Sequence, residues 1–305
     1  MKPLISIIGP TATGKSNLAI HLAQEFNGEV VSADSRQVYK HMDIGTAKLN
    51  PQELASVPHH LIDVINPDEE FSLAQYKQLV YQAVEEIHNR GKLPLLTGGS
   101  GLYIWAVLEG WEIPEVAPDI EYRRKLEERA GSGEADELYS ELMETDPVAA
   151  QRIDRRNVRR VIRALEVSKK SDGKFSELQR KETPPFDILI IGLTAEREEL
   201  YRRIDSRVDI MVEAGIVEEV KTLLDKGYGP DLPAMSGIGY RQIIMYLNGE
   251  ITLEEAIRNI KTETHRLVRR QYNWFSLKDK RINWFDIEKE FEPEITKLVA
   301  EFLSE

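Results

Sequence analysis

The sequence has no cysteine among its 305 residues, and its six histidines do not occur in a metal-binding spacing such as HExxH. These absences exclude disulfides and thiolate metal sites, so any bound metal is expected to have oxygen ligands. No apolar run approaches the roughly 18 residues that cross a bilayer. The chain passes from Met1 and Lys2 directly into LISIIG and a glycine loop, which leaves no room for a signal peptide. We therefore expect a cytoplasmic protein without a membrane segment.

Positive charge is also scarce, since 40 Lys and Arg residues stand against 52 Asp and Glu residues, a formal net charge of -12. Nonspecific affinity for nucleic acid comes from Lys and Arg side chains that neutralise phosphates. The charge therefore argues against a protein that coats nucleic acid indiscriminately. Specific contacts from local basic clusters remain compatible with it.

The first motif is GPTATGKS, which matches the GxxxxGK[ST] pattern at every fixed position. It lies between the β-branched run LISIIG and SNLAIHLAQEF, which has helical spacing, and this context argues against a chance glycine turn. In such loops backbone N–H groups bind phosphate oxygens, the lysine adds a cation and the hydroxyl ligates Mg²⁺. A nucleoside triphosphate and an isoprenoid diphosphate present the same oxygens, so the motif leaves the ligand open. The predicted diphosphate site, with Ser16 as the Mg²⁺ ligand, consists of Gly9, Thr11, Ala12, Thr13, Gly14, Lys15 and Ser16.

Further strand-like runs, EVVSAD, KLPLLTGG and FDILIIGLTA, alternate with stretches of helical periodicity. The pattern predicts an α/β fold, with a P-loop NTPase-like parallel sheet core and an inserted helical domain where charged helical segments replace the strands. We predict the first part of the catalytic core at 1–112, the inserted helical lobe at 113–181, and the rest of the core with C-terminal helices at 182–305. Ligands of such sheets lie beyond the carboxyl ends of the strands, where Ser16, Asp34 and Ser100 are expected to converge.

Asp34 ends the run EVVSAD and is open to two interpretations at this point. A nucleotide hydrolase or kinase carries a magnesium-positioning aspartate at the end of an apolar strand, and this is the only comparable run. A strand-end carboxylate that caps a nearby helix fits the local sequence equally well.

Several longer motifs follow one another along nearly the whole chain: DSRQVYKHMDIGTAK, HHLIDVINPDEEFS, LLTGGSGLYIWAVLEG, RALEV, RVDIMVEAGIVEEV, SGIGYRQ and RRQYNWF. In these motifs the chain resembles the tRNA dimethylallyltransferase family, the bacterial tRNA isopentenyl transferases. The resemblance implies transfer of a dimethylallyl group from dimethylallyl diphosphate to N6 of adenine 37, next to the anticodon, in tRNAs that have adenine at position 36 and read codons beginning with U. The products would be N6-isopentenyladenosine and diphosphate, and no ATP need be hydrolysed.

The resemblance also implies catalytic roles for three residues. Asp34 is expected to be the general base for the adenine amine, because that amine is a poor nucleophile. Ser100 is expected to contact substrate near the reacting centre, and Arg197, just after a core strand, to help hold the diphosphate. A tight strand-to-helix turn around Ser100 and a solvated first helical turn at Arg197 are the simpler interpretations.

The tRNA-binding surface is predicted to include residues of the catalytic core and residues of the inserted lobe. The target base must leave the stack of the anticodon loop, and the segment after EVVSA would face it and its neighbour. The densest basic cluster, QRIDRRNVRRVIR, lies in the inserted lobe, although a solvated helix face paired with acidic residues is the alternative. A solvated helix position is the alternative for Gln37, and packing of the terminal helices is the alternative for Gly239, Tyr240 and Arg241. The predicted tRNA contacts are Asp34, Ser35, Arg36, Gln37, Ser100, Arg123, Arg159, Arg160, Val161, Ile162, Arg163, Gly239, Tyr240 and Arg241.

Two other classes of function compete with this prediction. A P-loop kinase would use Asp34 to position Mg²⁺ or to accept a hydroxyl proton. A noncatalytic RNA-binding protein on a degenerate P-loop scaffold is disfavoured by the intact Lys15, Ser16 and Asp34. Arg36, Tyr272 and Asn273 depart from residues that are commoner in the family, and the lack of cysteine excludes the zinc finger of some eukaryotic members. We expect the compact bacterial form, acting as a monomer on the anticodon stem-loop.

Overall fold

The structure is a computed structural model, and it describes residues 2–113, 119–170, 174–177 and 180–304. The chain divides into two compact units. The core comprises Met1–Leu108 and Pro184–Glu305, and the helical unit comprises Glu109–Thr183. The range predicted from the sequence for an inserted lobe was 113–181. None of the helices in these described ranges is long and apolar enough to cross a membrane.

Strands and helices alternate in the first part of the core, whereas in the second part several helices lie between two strands. The named elements of the unit between them, within the described ranges, are helices. The first part of the core contains β1 (Lys2–Ile8), α1 (Lys15–Glu25), β2 (Gly28–Ser32), α2 (Pro51–Ser56), β3 (His59–His60), α3 (Leu73–Asn89), β4 (Leu93–Gly98) and α4 (Gly101–Leu108). The helical unit contains α5 (Ile120–Gly131), α6 (Ala135–Thr145), α7 (Pro147–Arg152) and α8 (Val158–Lys170). The second part of the core contains β5 (Phe186–Thr194), α9 (Arg197–Glu213), α10 (Ile216–Asp225), α11 (Tyr240–Leu247), α12 (Leu253–Trp274), β6 (Ile282–Asp286) and α13 (Glu292–Ser304).

The six strands in the described residues form one parallel sheet, in the spatial order β3-β2-β4-β1-β5-β6. The predicted α/β fold with a parallel sheet is therefore confirmed.

The register of the central strands brings the predicted site residues to one edge of the sheet. Ile8 at the end of β1 is level with Gly98 at the end of β4, and Ser32 at the end of β2 is level with Thr97. The loops that follow these strands carry the glycine loop, Asp34 and Ser100. Parallel strands thus place residues that are far apart in sequence beside one another.

Helix boundaries in the core follow local sequence signals. Thr252 caps α12 by accepting the backbone N–H of Glu255, whose side chain accepts the N–H of Thr252 in return. Between α9 and α10 the chain breaks at Gly215, which has a φ of 96° in the left-handed region that glycine tolerates. The stretch of helical periodicity after β5 is therefore two helices, joined by a single turn.

The helical unit is built around a core of its own apolar side chains. Leu126, Leu138, Leu142 and Leu165 are among the residues buried there. They come from α5, α6 and α8, so the helices of this unit pack on one another.

Candidate active site

A cavity of about 1290 Å³ opens at the carboxyl ends of β1, β2 and β4, and all of its lining residues belong to the core. The glycine loop, the segment after β2 and the segment after β4 form its inner wall. Helices α9 and α12 supply the opposite side. The predicted Lys15, Ser16, Asp34 and Ser100 all line this one cavity.

The conformation of the glycine loop depends on positive φ values and on a hydrogen bond within the loop. Gly9 has a φ of 140°, and a Cβ there would lie 2.3 Å from the Leu193 carbonyl oxygen, so only glycine fits. Ala12 and Gly14 also have positive φ values, 68° and 82°. The Thr13 hydroxyl donates to the Pro10 carbonyl at 2.9 Å and fixes the turn from within.

Lys15 and Arg207 bring two cations to this loop. The Lys15 ammonium donates to the Pro10 carbonyl at 2.6 Å, and the Arg207 guanidinium donates to the Thr11 hydroxyl at 3.2 Å. Burial and, to a smaller extent, the neighbouring Arg207 lower the pKa of Lys15 to about 7, while Asp34 opposes the shift. Burial also lowers the pKa of Arg207. Two desolvated cations beside one loop make a site that favours a multivalent anion.

Asp34 lies directly after β2 with one carboxylate oxygen committed to the local turn. Its Oδ1 accepts the backbone N–H of Arg36 at 2.8 Å. Its Oδ2 has no hydrogen-bond partner among the residues that the structure describes, and Asp34 lines the cavity. The local bond fixes the orientation of the carboxylate and leaves one oxygen for a ligand.

Ser100 is tied to the segment that carries Asp34. Its hydroxyl accepts the backbone N–H of Ser35 at 3.0 Å and donates to the Ser35 hydroxyl at 3.2 Å. The strand ends approach so closely here that a Cβ on Gly98 would lie 2.2 Å from the Ala33 carbonyl oxygen. Close packing therefore requires the glycine, as a tight turn predicts, and Ser100 lines the cavity, where its contact with substrate stays a prediction.

Arg197 lies just after β5, as predicted, but it does not reach the cavity. It is the exposed first residue of α9 and is not among the residues that line the cavity. Arg207, farther along the same helix, reaches the glycine loop instead. Arg197 was predicted because it follows the end of β5, whereas the part of α9 that reaches the glycine loop lies near the middle of that helix, at Arg207. The available sequence signal for Arg207 was helical periodicity. Leu200, Ile204 and Val208 recur at helical spacing and are buried on one face of α9, and Arg207 directly precedes Val208.

Gln271 was not predicted as a site residue. Its side-chain amide accepts the backbone N–H of Thr11 at 2.9 Å and donates to the Gly99 carbonyl at 2.9 Å. It is 6% exposed and lines the cavity. The available sequence signal was its place in the motif RRQYNWF, which carries part of the family resemblance.

The predicted RNA-facing residues of the core differ in their accessibility. Gln37, Gly239 and Arg241 line the cavity. Arg36 also lines it, but its guanidinium donates to the Pro233 carbonyl at 2.8 Å. Tyr240 also lines the cavity, although it is only 1% exposed, and its contact with tRNA stays a prediction. Its ring packs inside the core.

In the helical unit the predicted residues of α8 lie on two faces. Val161 and Ile162 are 1% and 3% exposed and pack in the apolar core of this unit, so their side chains present little surface to tRNA. Arg159 and Arg160 are exposed, and their guanidinium groups have no ion-pair partner in the described part of the chain.

Arg123 and Arg163 meet at the buried carboxylate of Glu166, at 2.8 and 2.7 Å. Burial would raise the pKa of Glu166, but the two guanidinium groups and the Asp119 N–H hold it below its usual range. These two arginines are therefore partly neutralised, unlike Arg159 and Arg160. Arg123 and Arg163 thus pair with an acidic residue, as the alternative to tRNA binding predicted.

The residues at the glycine loop fit a hydrated Mg²⁺ ion. No group of three or more His, Asp or Glu side chains that could cage a metal occurs among the described residues. Mg²⁺, however, is usually held by one or two protein oxygens, phosphate oxygens and water. The Ser16 hydroxyl lines the cavity, and the buried Thr97 hydroxyl lacks a hydrogen-bond partner within the described ranges.

Comparison with known proteins gives a consistent result along the chain. The model of the family described as IPP transferase matches residues 37–279. A tRNA dimethylallyltransferase of Dehalococcoides mccartyi is 49% identical over 305 residues, which cover 100% of this chain and 94% of that protein. One from Roseiflexus castenholzii is 53% identical over 275 residues and 90% of both chains.

Solved structures of related proteins have the same fold. The tRNA isopentenylpyrophosphate transferase of Bacillus halodurans is 42% identical with a TM-score of 0.75, over 100% of this chain and 97% of that one. A eukaryotic dimethylallyltransferase acting on tRNA is 30% identical with a TM-score of 0.83, over 100% of this chain and 80% of that one. These likenesses confirm the resemblance and the P-loop NTPase-like core predicted from the sequence. The chain belongs to the IPP transferase family.

Proposed function

We propose that the protein transfers a dimethylallyl group from dimethylallyl diphosphate to N6 of adenine 37 in tRNAs that have adenine at position 36 and read codons beginning with U. The products are N6-isopentenyladenosine and diphosphate. The observation that carries the proposal is that the glycine loop and Asp34 line the same cavity. A phosphate-binding loop beside a carboxylate with one unpartnered oxygen suits the displacement of diphosphate by a weakly acidic amine.

The donor end of the cavity would stabilise the leaving group. As the bond between the allylic carbon and the diphosphate oxygen breaks, negative charge grows on the diphosphate. The loop amides, together with Lys15 and Arg207 beside the loop, would stabilise this charge. Ser16, with the Thr97 hydroxyl nearby in the same cavity lining, would hold Mg²⁺, and the ion would supply further charge neutralisation when bound.

The acceptor end would deprotonate the nucleophile. The adenine N6 lone pair forms the new bond to the allylic carbon, and the amine must lose one proton. The free Oδ2 of Asp34 would accept it, while the bond from the Arg36 N–H keeps the carboxylate in place. Ser100, which is bonded to Ser35, would support the same segment and contact the substrate.

Two surfaces would bind the tRNA. The segment from Asp34 to Gln37, together with Gly239 and Arg241, would contact the flipped adenine and its neighbour in the cavity. Arg159 and Arg160 of the helical unit would contact phosphates, because their guanidinium groups are exposed and unneutralised. A monomer acting in the cytoplasm suffices for this chemistry, and light scattering of the protein with and without tRNA tests the monomer.

The decisive experiment uses the protein, dimethylallyl diphosphate, Mg²⁺ and an unmodified anticodon stem-loop with adenines at positions 36 and 37. Mass spectrometry of the nucleosides should detect N6-isopentenyladenosine. Asp34→Asn keeps an oxygen for the Arg36 N–H but is not a base, so we expect a loss of turnover of about 10²- to 10⁴-fold with tRNA affinity retained. Absence of product from the wild type, with ATP-dependent phosphorylation of a metabolite instead, would favour a kinase.

A further inference from the structure

The carboxylate of Glu219 on α10 accepts four hydrogen bonds from other parts of the core. Its Oε2 accepts the backbone N–H groups of Asp43 and Ile44, at 2.9 and 2.7 Å. Its Oε1 accepts the backbone N–H of Gly45 at 3.1 Å and the hydroxyl of Tyr240 at 2.7 Å. One side chain thus fixes three consecutive amides of the segment 43–47, which we call the DIGTA loop.

The DIGTA loop is also held by close packing. The buried ring of Tyr240 lies so near the backbone of Gly45 that a Cβ there would be 2.6 Å from two ring atoms. Glycine is therefore required at this position, and the ring prevents the loop from moving inward. The Glu219 carboxylate and the Tyr240 ring together fix the position of the DIGTA loop.

The far end of the DIGTA loop determines how the amide of Gln37 is turned. The Gln37 amide nitrogen donates to the carbonyls of Thr46 and Ala47, at 3.3 and 3.4 Å. Its Oε1 accepts the Ser32 hydroxyl at 3.3 Å. Carbonyl groups accept only from the NH₂ side, so this arrangement distinguishes the two ends of the amide. What Gln37 has left to offer the cavity is the second lone pair of Oε1.

We propose that Glu219 is a positioning residue for acceptor choice, because it holds the DIGTA loop so that Gln37 offers a hydrogen-bond acceptor to the base on the 5′ side of the target adenine. An adenine at that place presents an N6 amino donor, whereas a guanine presents the O6 acceptor. The oriented Gln37 oxygen would pair with the first and repel the second. This inference rests on the proposed function, since it concerns the selection of the same tRNA.

The test compares stem-loops that differ only in the base at position 36: adenine, guanine, and purine, which lacks the amino group. In Glu219→Gln a single neutral oxygen replaces two charged ones, so the four bonds cannot all persist and the Gln37 amide can rotate. We expect the preference of kcat/KM for adenine over guanine and over purine to fall about tenfold. The affinity for inorganic diphosphate, measured by calorimetry, should change less than about twofold, because the glycine loop is untouched.

Glu218→Gln is the matched control. Glu218 is the preceding residue on the same helix turn, and the DIGTA loop does not bond to it, so its replacement removes the same charge and leaves that loop in place. It should keep the wild-type preference. Tyr240→Phe removes one of the four bonds and keeps the ring, and should give an intermediate loss of preference.

The outcomes separate the two proposals. A wild type that modifies no stem-loop overturns the proposed function and the inference with it. A wild type that prefers adenine 36, with Glu219→Gln equally selective, overturns the inference alone. If Glu219→Gln does not fold, Tyr240→Phe decides: a reduced preference supports the inference, and an unchanged one overturns it.

Discussion

The side chain of Gln271 accepts the backbone N–H of Thr11 at 2.9 Å, across a separation of 260 residues. The same amide donates to Gly99, so it links the loop that would hold the donor to the loop that carries Ser100. Helix α12 is therefore part of the site, although none of its residues was assigned a catalytic role.

Gln271→Leu should destabilise both loops. Leucine has a similar volume but leaves a buried N–H and a buried carbonyl without partners, at a cost of about 2 kcal/mol in the free energy of unfolding. We also expect weaker binding of inorganic diphosphate by calorimetry, because Thr11 is no longer held. Gln82→Leu, on the outer part of α3, is the control, and equal stability of the two variants would contradict the expectation.

Diphosphate binding should take up protons above neutral pH. In the free protein burial lowers the pKa of Lys15 to about 7, so the side chain is increasingly neutral as the pH rises above that value. A bound diphosphate favours the charged form of Lys15, so binding raises the pKa of Lys15. The affinity for diphosphate therefore falls as the pH increases above about 7. Calorimetry at pH 8 in buffers of different ionisation enthalpy measures the uptake, and Lys15→Met should reduce it to the contribution of diphosphate itself. Equal uptake in both proteins would exclude Lys15 as the source.

Arg207 and Arg197 should differ sharply when each is replaced by alanine. Arg207→Ala removes a charged hydrogen-bonding group beside the glycine loop, worth about 1.5–3 kcal/mol, or about 10- to 100-fold in the Kd for inorganic diphosphate. Arg197→Ala should change that Kd less than about twofold, because the side chain is exposed outside the cavity. The reverse ranking would restore the role first predicted for Arg197.

Replacing Arg159 and Arg160 by glutamine should weaken tRNA binding and flatten its dependence on salt. For every phosphate that the variant no longer neutralises, the slope of log Kd against log salt falls by about 0.7–0.9. The matched control is Lys289→Gln with Lys297→Gln, which removes two charges from exposed sites at and near α13. A slope that falls equally in both double variants would mean that general charge, and not these two arginines, sets the binding.

Local patterns predicted most of the fold, and long-range contacts account for most of what they missed. The run LISIIG and the glycine loop are contiguous, so β1 and α1 were recognisable. β3 has only two residues, His59–His60, and β6 is the short INWFD, so neither has a clear strand period. Both depend on pairing with a neighbouring strand.

The site was predictable where its residues follow strands directly, as Asp34 and Ser100 do. Arg207, Gln271 and Glu219 act from helices that arrive later in the chain, and their contacts depend on how those helices cross the sheet. Periodicity identifies the buried face of a helix, but it does not say which turn meets the glycine loop. The misplacement of the cation at Arg197 has this cause.

The break at Gly215 allows the two ends of the site to vary independently. The helix before it reaches the donor loop through Arg207, and the helix after it reaches the acceptor loop through Glu219. Because Gly215 has a left-handed conformation, the helical repeat of α9 does not continue into α10. If Glu219 has the proposed role, substitutions along α10 would alter the choice of tRNA while the contacts of α9 with the glycine loop stay unchanged, and this short helix would be the place to engineer an enzyme with a different acceptor.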